Sequence, residues 1–343
     1  MRISFNIPTY NRAKYLKENL DILTIQIKDL HKEDEVEINI SDNASTDDTE
    51  KISKDCIAAN PQLHISYHRN EKNLGPDGNF ITAMNLAHGE YSLLWGDDDF
   101  LKEGGLARIF ELAEYGDKND IQILLSSTTV YDKNGKFLSE KYFLQDDIEE
   151  LTVDFSDLTQ ARAYFFLLKD MGGMLSFISD VVYKTSIVRE IQFDEAFMGT
   201  HYAFLCYWWG WLAKGKKLHY SNKSFLKETY QFQPAYGYGV DRVMVDYRGY
   251  ILIANKFFST TLRVDFLHAF QNLHKKLYVL YLVYGERVKY NELLVPKMRE
   301  CGVCEAEIAE LNKVCGTTSI LKLLAYSLIP PCILNYLKNR KKR

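Results

Sequence analysis

Short apolar runs broken by polar loops mark out strands and helices in turn along the first third of the chain. Ile3-Ser4-Phe5-Asn6-Ile7 reads as a strand that runs into a Pro-stopped loop, Pro8-Thr9-Tyr10-Asn11-Arg12. A helix follows, with apolar positions at Tyr15, Leu16, Leu20, Leu23 and Ile27, a spacing that places them on one face. Val36 to Ile40 reads as a second strand. Ser41-Asp42-Asn43-Ala44-Ser45-Thr46-Asp47 is a loop rich in helix-capping residues, and the next helix is predicted to run to about Ala59. His64 to Arg69 reads as a strand, residues 73–79 as a turn-rich loop, and Phe80 to Ala87 as a helix. The apolar run Tyr91-Ser92-Leu93-Leu94-Trp95 reads as a buried strand, and Leu106 to Tyr115 as a helix. Strands and helices alternating with short connections predict an α/β fold, a doubly wound and mostly parallel sheet. Ligands of such sheets bind just outside the carboxyl ends of the strands. The loops Pro8–Arg12, Asp42–Asp47 and Asp97–Asp99 are therefore expected to converge on one cleft.

The sharpest chemical feature is Gly96-Asp97-Asp98-Asp99 at the end of the last of these strands. Three adjacent carboxylates repel one another unless a cation is shared among them. Hard oxygen donors suit Mg²⁺ or Mn²⁺, and Mg²⁺ is usually held by one or two carboxylates together with substrate phosphates. A solvated acidic turn is the alternative for an isolated Asp-Asp-Asp, and the two other loops weigh against it.

Pro-Thr-Tyr-Asn-Arg, Ser-Asp-Asn-Ala-Ser-Thr-Asp, Asn-Leu-Gly and the Asp cluster, in this order, resemble a family 2 glycosyltransferase of GT-A fold. Two further segments, Asn73-Leu74-Gly75-Pro76-Asp77-Gly78-Asn79-Phe80 and Phe193-Asp194-Glu195-Ala196-Phe197-Met198-Gly199-Thr200, resemble the abequosyltransferase-like enzymes of bacterial O-antigen assembly. The resemblance implies a nucleotide-diphosphate sugar donor, with Mn²⁺ or Mg²⁺ on its diphosphate. It places Asp98 first and Asp99 second as metal ligands, and Asp97 at the ribose or the metal. Gly96 stands where the family usually has the first Asp. Asp42 is expected to accept a hydrogen bond from the base or ribose, or to cap the following helix. Pro8, Thr9 and Tyr10 are expected to line the base pocket, and Asn43 and Ser45 to belong to the same nucleotide-binding set. Arg12 is placed at phosphate or in solvent. Asp77 is placed as a helix cap or at a sugar hydroxyl.

Inverting relatives usually carry a Glu-Asp pair a few residues after a Phe-Asp-Glu segment, and here Thr200-His201 occupies that place. An unperturbed imidazole titrates near about pH 6.5, so His201 is the first candidate base, with Asp194 and Glu195 as fallbacks. Both inversion and retention stay open. The aromatic and Gly-rich run 230–239 reads as a lid over donor and acceptor, with Arg242 as a diphosphate clamp, or as an interdomain loop held by Tyr packing. A boundary near Gly239 separates a GT-A domain, residues 1–239, from a helical C-terminal region, residues 240–343.

Farther along, Ile121 to Ser126 reads as a strand, Asp132 to Lys136 as a hairpin turn, and Asp154 to Lys169 as a helix. Trp208, Trp209 and Trp211 are assigned partly to the core and partly to an acceptor-side wall. At 343 residues and 46% hydrophobic, the chain is long enough for a full α/β core with a helical extension. A net charge of −4 gives no general pull toward nucleic acid. Pro8 interrupts the apolar start, so no signal peptide is expected. Cys301-Gly302-Val303-Cys304 is a lone CxxC, read as chance spacing of reduced cytosolic thiols. The terminus pairs an apolar stretch, Ile320 to Leu334 broken by Pro330-Pro331, with the basic run Lys338 to Arg343. It is too short to span a bilayer and suits peripheral contact with the anionic inner face of the cytoplasmic membrane, where the resemblance implies a polyprenyl-diphosphate-linked glycan acceptor; a helix docked on the body with a solvated basic tail is the alternative. A nucleotidyltransferase of related fold and a noncatalytic sugar-binding protein are the competing functions.

Overall fold

The computed structural model describes residues 1–132, 135–229, 240–283, 290–300, 303–306 and 308–309. Its centre is a mixed sheet of ten strands. Strands β1 (Ile3–Thr9), β2 (Val36–Asp42), β3 (His64–Arg69) and β4 (Tyr91–Leu94) are mutually parallel, in the order β3-β2-β1-β4. The sheet continues through β9 (Val181–Lys184), β6 (Ile123–Tyr131), β10 (Lys217–Thr229) and β5 (Phe100–Leu101). β7 (Phe137–Lys141) pairs with β6, and β8 (Glu150–Asp154) with β10. β9 is antiparallel to both β4 and β6, so the amino end of β9 lies beside the carboxyl end of β4.

The two faces of β1 and β2 differ in chemistry although both are buried. Ile3, Phe5, Ile7, Val36, Ile38 and Ile40 point into an apolar core against α1 (Ala13–Asp29) and α4 (Gly105–Asn119). The stripe on α1 is Leu16, Leu20, Leu23 and Ile27, all buried. The opposite face carries Ser4, Asn6, Glu37, Asn39 and Ser41, also buried. Buried polar groups need partners, and here they bond to one another: Ser4 Oγ donates to Glu37 (2.5 Å), Asn39 Nδ2 to Asn6 Oδ1 (3.1 Å) and Ser41 Oγ to Asn79 Oδ1 (2.7 Å). Asn79 lies in α3 (Gly75–Asn85), so this network docks α3 on the polar face.

Four elements differ from the sequence expectation. The segment 73–79 is not all loop, because α3 begins at Gly75: Gly75 turns the chain at φ +73°, and Pro76 pre-sets the first helical turn. The helix expected from Asp154 to Lys169 is β8 followed by α5 (Leu158–Leu167), which starts where Asp157 accepts the N–H of Thr159 (2.8 Å) and Gln160 (3.3 Å). The expected strand Ile121–Ser126 is the longer β6. The strand β10 has no counterpart in the hydrophobic pattern, since Lys217, Asn222, Lys223 and Ser224 interrupt its apolar positions and its register shifts between Ser221 and Leu226. At the expected hairpin, Gly135 adopts φ +78° and Asp132 N–H bonds Lys136 O at 2.8 Å; residues 133–134 lie outside the described residues.

The chain forms two compact units, one of Met1–Phe232 with Leu252–Asp265 and one of Gln233–Ile251 with Phe266–Arg343. Within the second, the buried His274 ring bonds Asp246 Oδ2 and Phe270 O, each at 3.0 Å, and Tyr250 stacks on Phe270 at 5.1 Å. The boundary near Gly239, the run 230–239 and the tail beyond 309 lie outside the described residues, as does the Arg242 side chain. Among the described residues no helix is long and apolar enough to cross a membrane.

Candidate active site

The acid cluster is a turn at the carboxyl end of β4, closed by Asp99 N–H to Gly96 O at 3.2 Å. Two residues outside it fix its shape. Asn19, on the buried side of α1, donates to Gly96 O (2.9 Å) and Asp99 O (2.6 Å) and accepts from Trp95 Nε1 (3.1 Å). Ser179, just before β9, accepts Gly96 N–H (2.8 Å) and donates to Asp99 Oδ2 (2.6 Å). A Cβ at Gly96 would fall 2.3 Å from Asp99 Oδ2. A side chain at 96 therefore displaces the Asp99 carboxyl, and this accounts locally for glycine where the family usually has its first Asp.

The three carboxyl groups have different surroundings. Asp97 is buried; its Oδ2 accepts from Thr9 Oγ1 (2.7 Å) and its Oδ1 faces Arg12 Nε (2.8 Å). Burial pushes its carboxyl up to about 7 against the opposing pull of Arg12. Asp99 is also buried, and burial and the neighbouring Asp98 drive its carboxyl well above the ordinary range. Asp98 is the most exposed of the three, with 27% of its side chain accessible, and it pairs with Arg12 as well. Arg12, stacked over Tyr15 at 4.8 Å, thus bridges Asp97 and Asp98.

Among the described residues no three metal-ligating side chains converge. The donor set fits a cation that takes one exposed carboxylate, Asp98, and draws its remaining oxygens from a diphosphate. Asp97 bonds Thr9 and Arg12, and Asp99 bonds Ser179.

The other predicted loops meet this turn through a cross-braced scaffold. Asn11, at φ +54°, donates its N–H to Ser45 Oγ (2.9 Å) and accepts Thr46 N–H (2.7 Å), while Asp47 accepts Ala13 N–H (3.0 Å) at the start of α1. Asp42 is wholly buried; it accepts Ser45 N–H (2.8 Å), Tyr67 OH (2.6 Å) and Arg69 Nη1 (3.0 Å). Burial and Asp42 push the Tyr67 phenol up to about 12. Asn43 ties down the Asn-Leu-Gly segment, accepting Leu74 N–H (2.8 Å) and donating to Asn73 Oδ1 (2.9 Å) and Gly75 O (3.1 Å). Pro8, Thr9, Asp42, Asn43 and Ser45 are all buried framework, whereas Tyr10 is 43% exposed.

Asp77 joins a second part of the chain to this end of the sheet. Its carboxylate accepts the backbone N–H of His201 (2.9 Å) and of Ala203 (3.0 Å), just before α7 (Leu205–Leu212). Two residues on, Asn79 donates to Ser41 O at 3.0 Å. His201 sits half-buried at φ +63°. Asp194 caps a short 3-10 turn by accepting Ala196 N–H (2.9 Å) and pairs with Lys256, which holds its carboxyl below the ordinary range; Glu195 is exposed. Trp208, Trp209 and Trp211 are all core.

Sequence reasoning missed Asn19, Ser179, Tyr67 and Arg69. Asn19 carried a signal, a polar residue inside the buried stripe of α1. Ser179 carried none.

A model of glycosyl transferase family 2 matches residues 4–168. An abequosyltransferase of Salmonella typhimurium is 33% identical over 80% of this chain and 80% of its own length. A Campylobacter jejuni GalNAc(5)-diNAcBac-PP-undecaprenol beta-1,3-glucosyltransferase is 26% identical over 58% of this chain and 56% of its own. Among solved structures, Staphylococcus aureus TarS 1-349 with UDP-GlcNAc superposes with a TM-score of 0.64 at 19% identity, over 93% of this chain and 88% of that one. The Pyrobaculum calidifontis mannosyltransferase PcManGT with GDP-Man and Mn²⁺ gives 0.55 at 14%, over 95% and 86%.

Proposed function

The chain belongs to the family 2 glycosyltransferases, a glycosyltransferase of GT-A fold, and from that premise we propose that it moves one sugar from a nucleoside-diphosphate donor to a lipid-linked surface glycan. The observation that carries the proposal is the convergence at one sheet end of three loops: Pro8–Arg12, Asp42–Asp47 and the Gly96–Asp99 turn. Tyr10 presents an aromatic face to a nucleobase, over a frame of Pro8, Thr9, Asn43 and Ser45. Asp42 holds Tyr67 and Arg69 at the nucleoside side of the cleft.

The diphosphate belongs beside Arg12 and Asp98. Arg12 is the one cation bonded to the acid turn among the described residues. Entry of a diphosphate gives its guanidinium a second set of anionic partners, and Asp98 becomes available to Mn²⁺ or Mg²⁺. A cation there supplies Lewis-acid stabilisation of the leaving diphosphate. The name of the Pyrobaculum structure, with Mn²⁺ and a nucleotide sugar together, supports that pairing.

The acceptor hydroxyl must lose a proton to a base within hydrogen-bond reach. We assign that base to His201, whose backbone N–H is held by the Asp77 carboxylate. Asp194 is less suited, because Lys256 and the Ala196 N–H already stabilise its charge. The undecaprenol-linked substrate in the name of the Campylobacter relative supports a polyprenyl-diphosphate acceptor. The apolar and basic C-terminal run 320–343 supplies a contact with the anionic cytoplasmic face of the membrane, where such an acceptor is reached. Release of nucleoside diphosphate from a panel of UDP-, GDP-, CDP- and dTDP-sugars, with and without Mn²⁺, tests the proposal. No release from any of them refutes it.

A further inference from the structure

The residue after Ser179 has no place in the chemistry above. Asp180 is 0% exposed, and among the described residues neither of its carboxyl oxygens has a hydrogen-bond partner. Its backbone is fixed, because Ser126 N–H bonds Asp180 O at 2.9 Å. Its neighbour Ser179 is the group that holds Gly96 and Asp99, so Asp180 adjoins the acid turn through one peptide bond.

The charges that act on Asp180 are Lys141, Glu228, Asp99 and Asp170. They come from β7, from β10, from the acid turn and from the residue before a 3-10 turn at Met171–Met174. Lys141 is loosely held: its Nζ lies 3.4 Å from Glu228 and 3.8 Å from Asp170, and it faces the Phe177 ring at 6.0 Å. A third of the Lys141 side chain (33%) and a quarter of Glu228 (26%) reach solvent. Glu228 also accepts from Thr128 Oγ1 at 3.2 Å. A buried carboxyl without a partner is costly, and burial raises its proton affinity here against the pull of Lys141. A fold bears that cost where a ligand supplies the missing hydrogen bonds. Vicinal hydroxyls of a sugar ring are such a ligand. They donate and accept at once, while an aromatic face such as Phe177 receives the apolar side of the ring.

We propose that Asp180, with Lys141, Glu228 and Phe177, forms a sugar-hydroxyl subsite beside Asp99. It takes a hexose ring, either the sugar of the donor or the terminal sugar of the acceptor. The subsite rests on the donor reading given above and names which side chains read the sugar.

The test compares the full-length chain with Asp180→Asn and Lys141→Met. Calorimetric titration is done with UDP, GDP, CDP and dTDP, and with UDP-glucose, UDP-galactose, UDP-N-acetylglucosamine and GDP-mannose. Methyl glycosides of the same hexoses are then titrated in the presence of the nucleoside diphosphate. A donor subsite predicts that nucleoside-diphosphate affinity stays within about twofold in both variants, while the extra affinity contributed by the sugar falls about tenfold or more. An acceptor subsite moves that loss to the methyl glycosides. In either case Asp180→Asn melts at or above the wild-type temperature, since it removes a buried carboxyl from among Asp99, Asp170 and Glu228. A structural role predicts the reverse, a lower melting temperature with both sugar affinities intact, and that result overturns the subsite. If Asp180→Asn does not fold, Lys141→Met reads the same sugar increments, and wild-type values there also overturn it. A wild-type chain that binds none of the four nucleoside diphosphates refutes the donor reading itself, and the subsite with it.

Discussion

The carboxylate of Asp77 accepts the backbone N–H of His201 at 2.9 Å, across 124 positions of sequence. Its other oxygen takes Ala203 N–H at 3.0 Å, so one buried side chain clamps both sides of Tyr202. His201 is held at φ +63°, a conformation that a non-glycine residue keeps only when its surroundings enforce it. Asp77→Asn leaves one acceptor where two were needed and brings an unpaired donor. Thermal unfolding should show a loss of about 1.5–3 kcal/mol, the scale of a hydrogen bond to a charged group.

If His201 is the base, His201→Gln lowers kcat at least about a hundredfold at unchanged donor affinity, the usual contribution of general base catalysis. Asp77→Asn lowers kcat in the same direction, since it frees the loop that carries the ring. A near-normal rate in His201→Gln passes the role to Asp194 or Glu195. Anomer analysis of the product by NMR then distinguishes inversion from retention.

Stability should fall as pH rises from about 4 to about 7. The Asp97 carboxyl titrates near 7 in the folded chain, and near about 3.9 when unfolded. Between those values the folded state binds the extra proton. The stabilisation is fully present below the unfolded pKa and is lost as pH rises through the folded one. The slope from one such group is at most about 1.4 kcal/mol per pH unit. Asp99 and Asp180 act with the same sign. Glu37, Asp47, Glu90 and Asp117 are held below the ordinary carboxylate range, so their opposite contribution is confined to more acid solution. Burial lowers the His219 imidazole, which opposes the fall below its ordinary value and is common to wild type and Asp97→Asn. Urea unfolding at pH 5, 6 and 7 measures the slope, and Asp97→Asn should flatten it.

Deleting residues 319–343 should release the protein from anionic liposomes while donor hydrolysis persists, because the loops that form the cleft lie within the first hundred or so residues. Each basic residue near an anionic surface contributes about 1 kcal/mol, and salt screens that share but not the apolar one. Equal liposome binding by the full-length and truncated chains would remove the membrane role of the tail.

The parallel half of the fold was legible because its strands alternate with helices of clear period, and because polar loops fall at their carboxyl ends. The loops Pro8–Arg12 and Asp42–Asp47 and the acid turn were placed together for that reason. What the pattern hid was connection across the sequence. Ser179 and Asp77 each act through two hydrogen bonds to residues 80 and more positions away, and no periodicity encodes such pairs. The strand β10 was hidden because its polar positions pair with β6 and β8 instead of reading as an apolar run. Asp42 was read from its loop as a nucleoside contact or a helix cap, and the loop gave no sign that Tyr67 and Arg69 on β3 also donate to its carboxylate.

The central claim is that the acid turn receives the diphosphate of a nucleotide sugar, with Asp98 as the exposed carboxylate that a cation shares. The direct measurement is calorimetric titration of UDP, GDP, CDP and dTDP into wild-type and Asp98→Asn protein, with Mn²⁺ and with EDTA. The account predicts that one nucleotide binds the wild type about tenfold or more tightly with Mn²⁺, and that Asp98→Asn loses this Mn²⁺-dependent gain while keeping the affinity seen in EDTA. Equal affinities with Mn²⁺ and EDTA in the wild type, or an undiminished Mn²⁺ gain in Asp98→Asn, would contradict it.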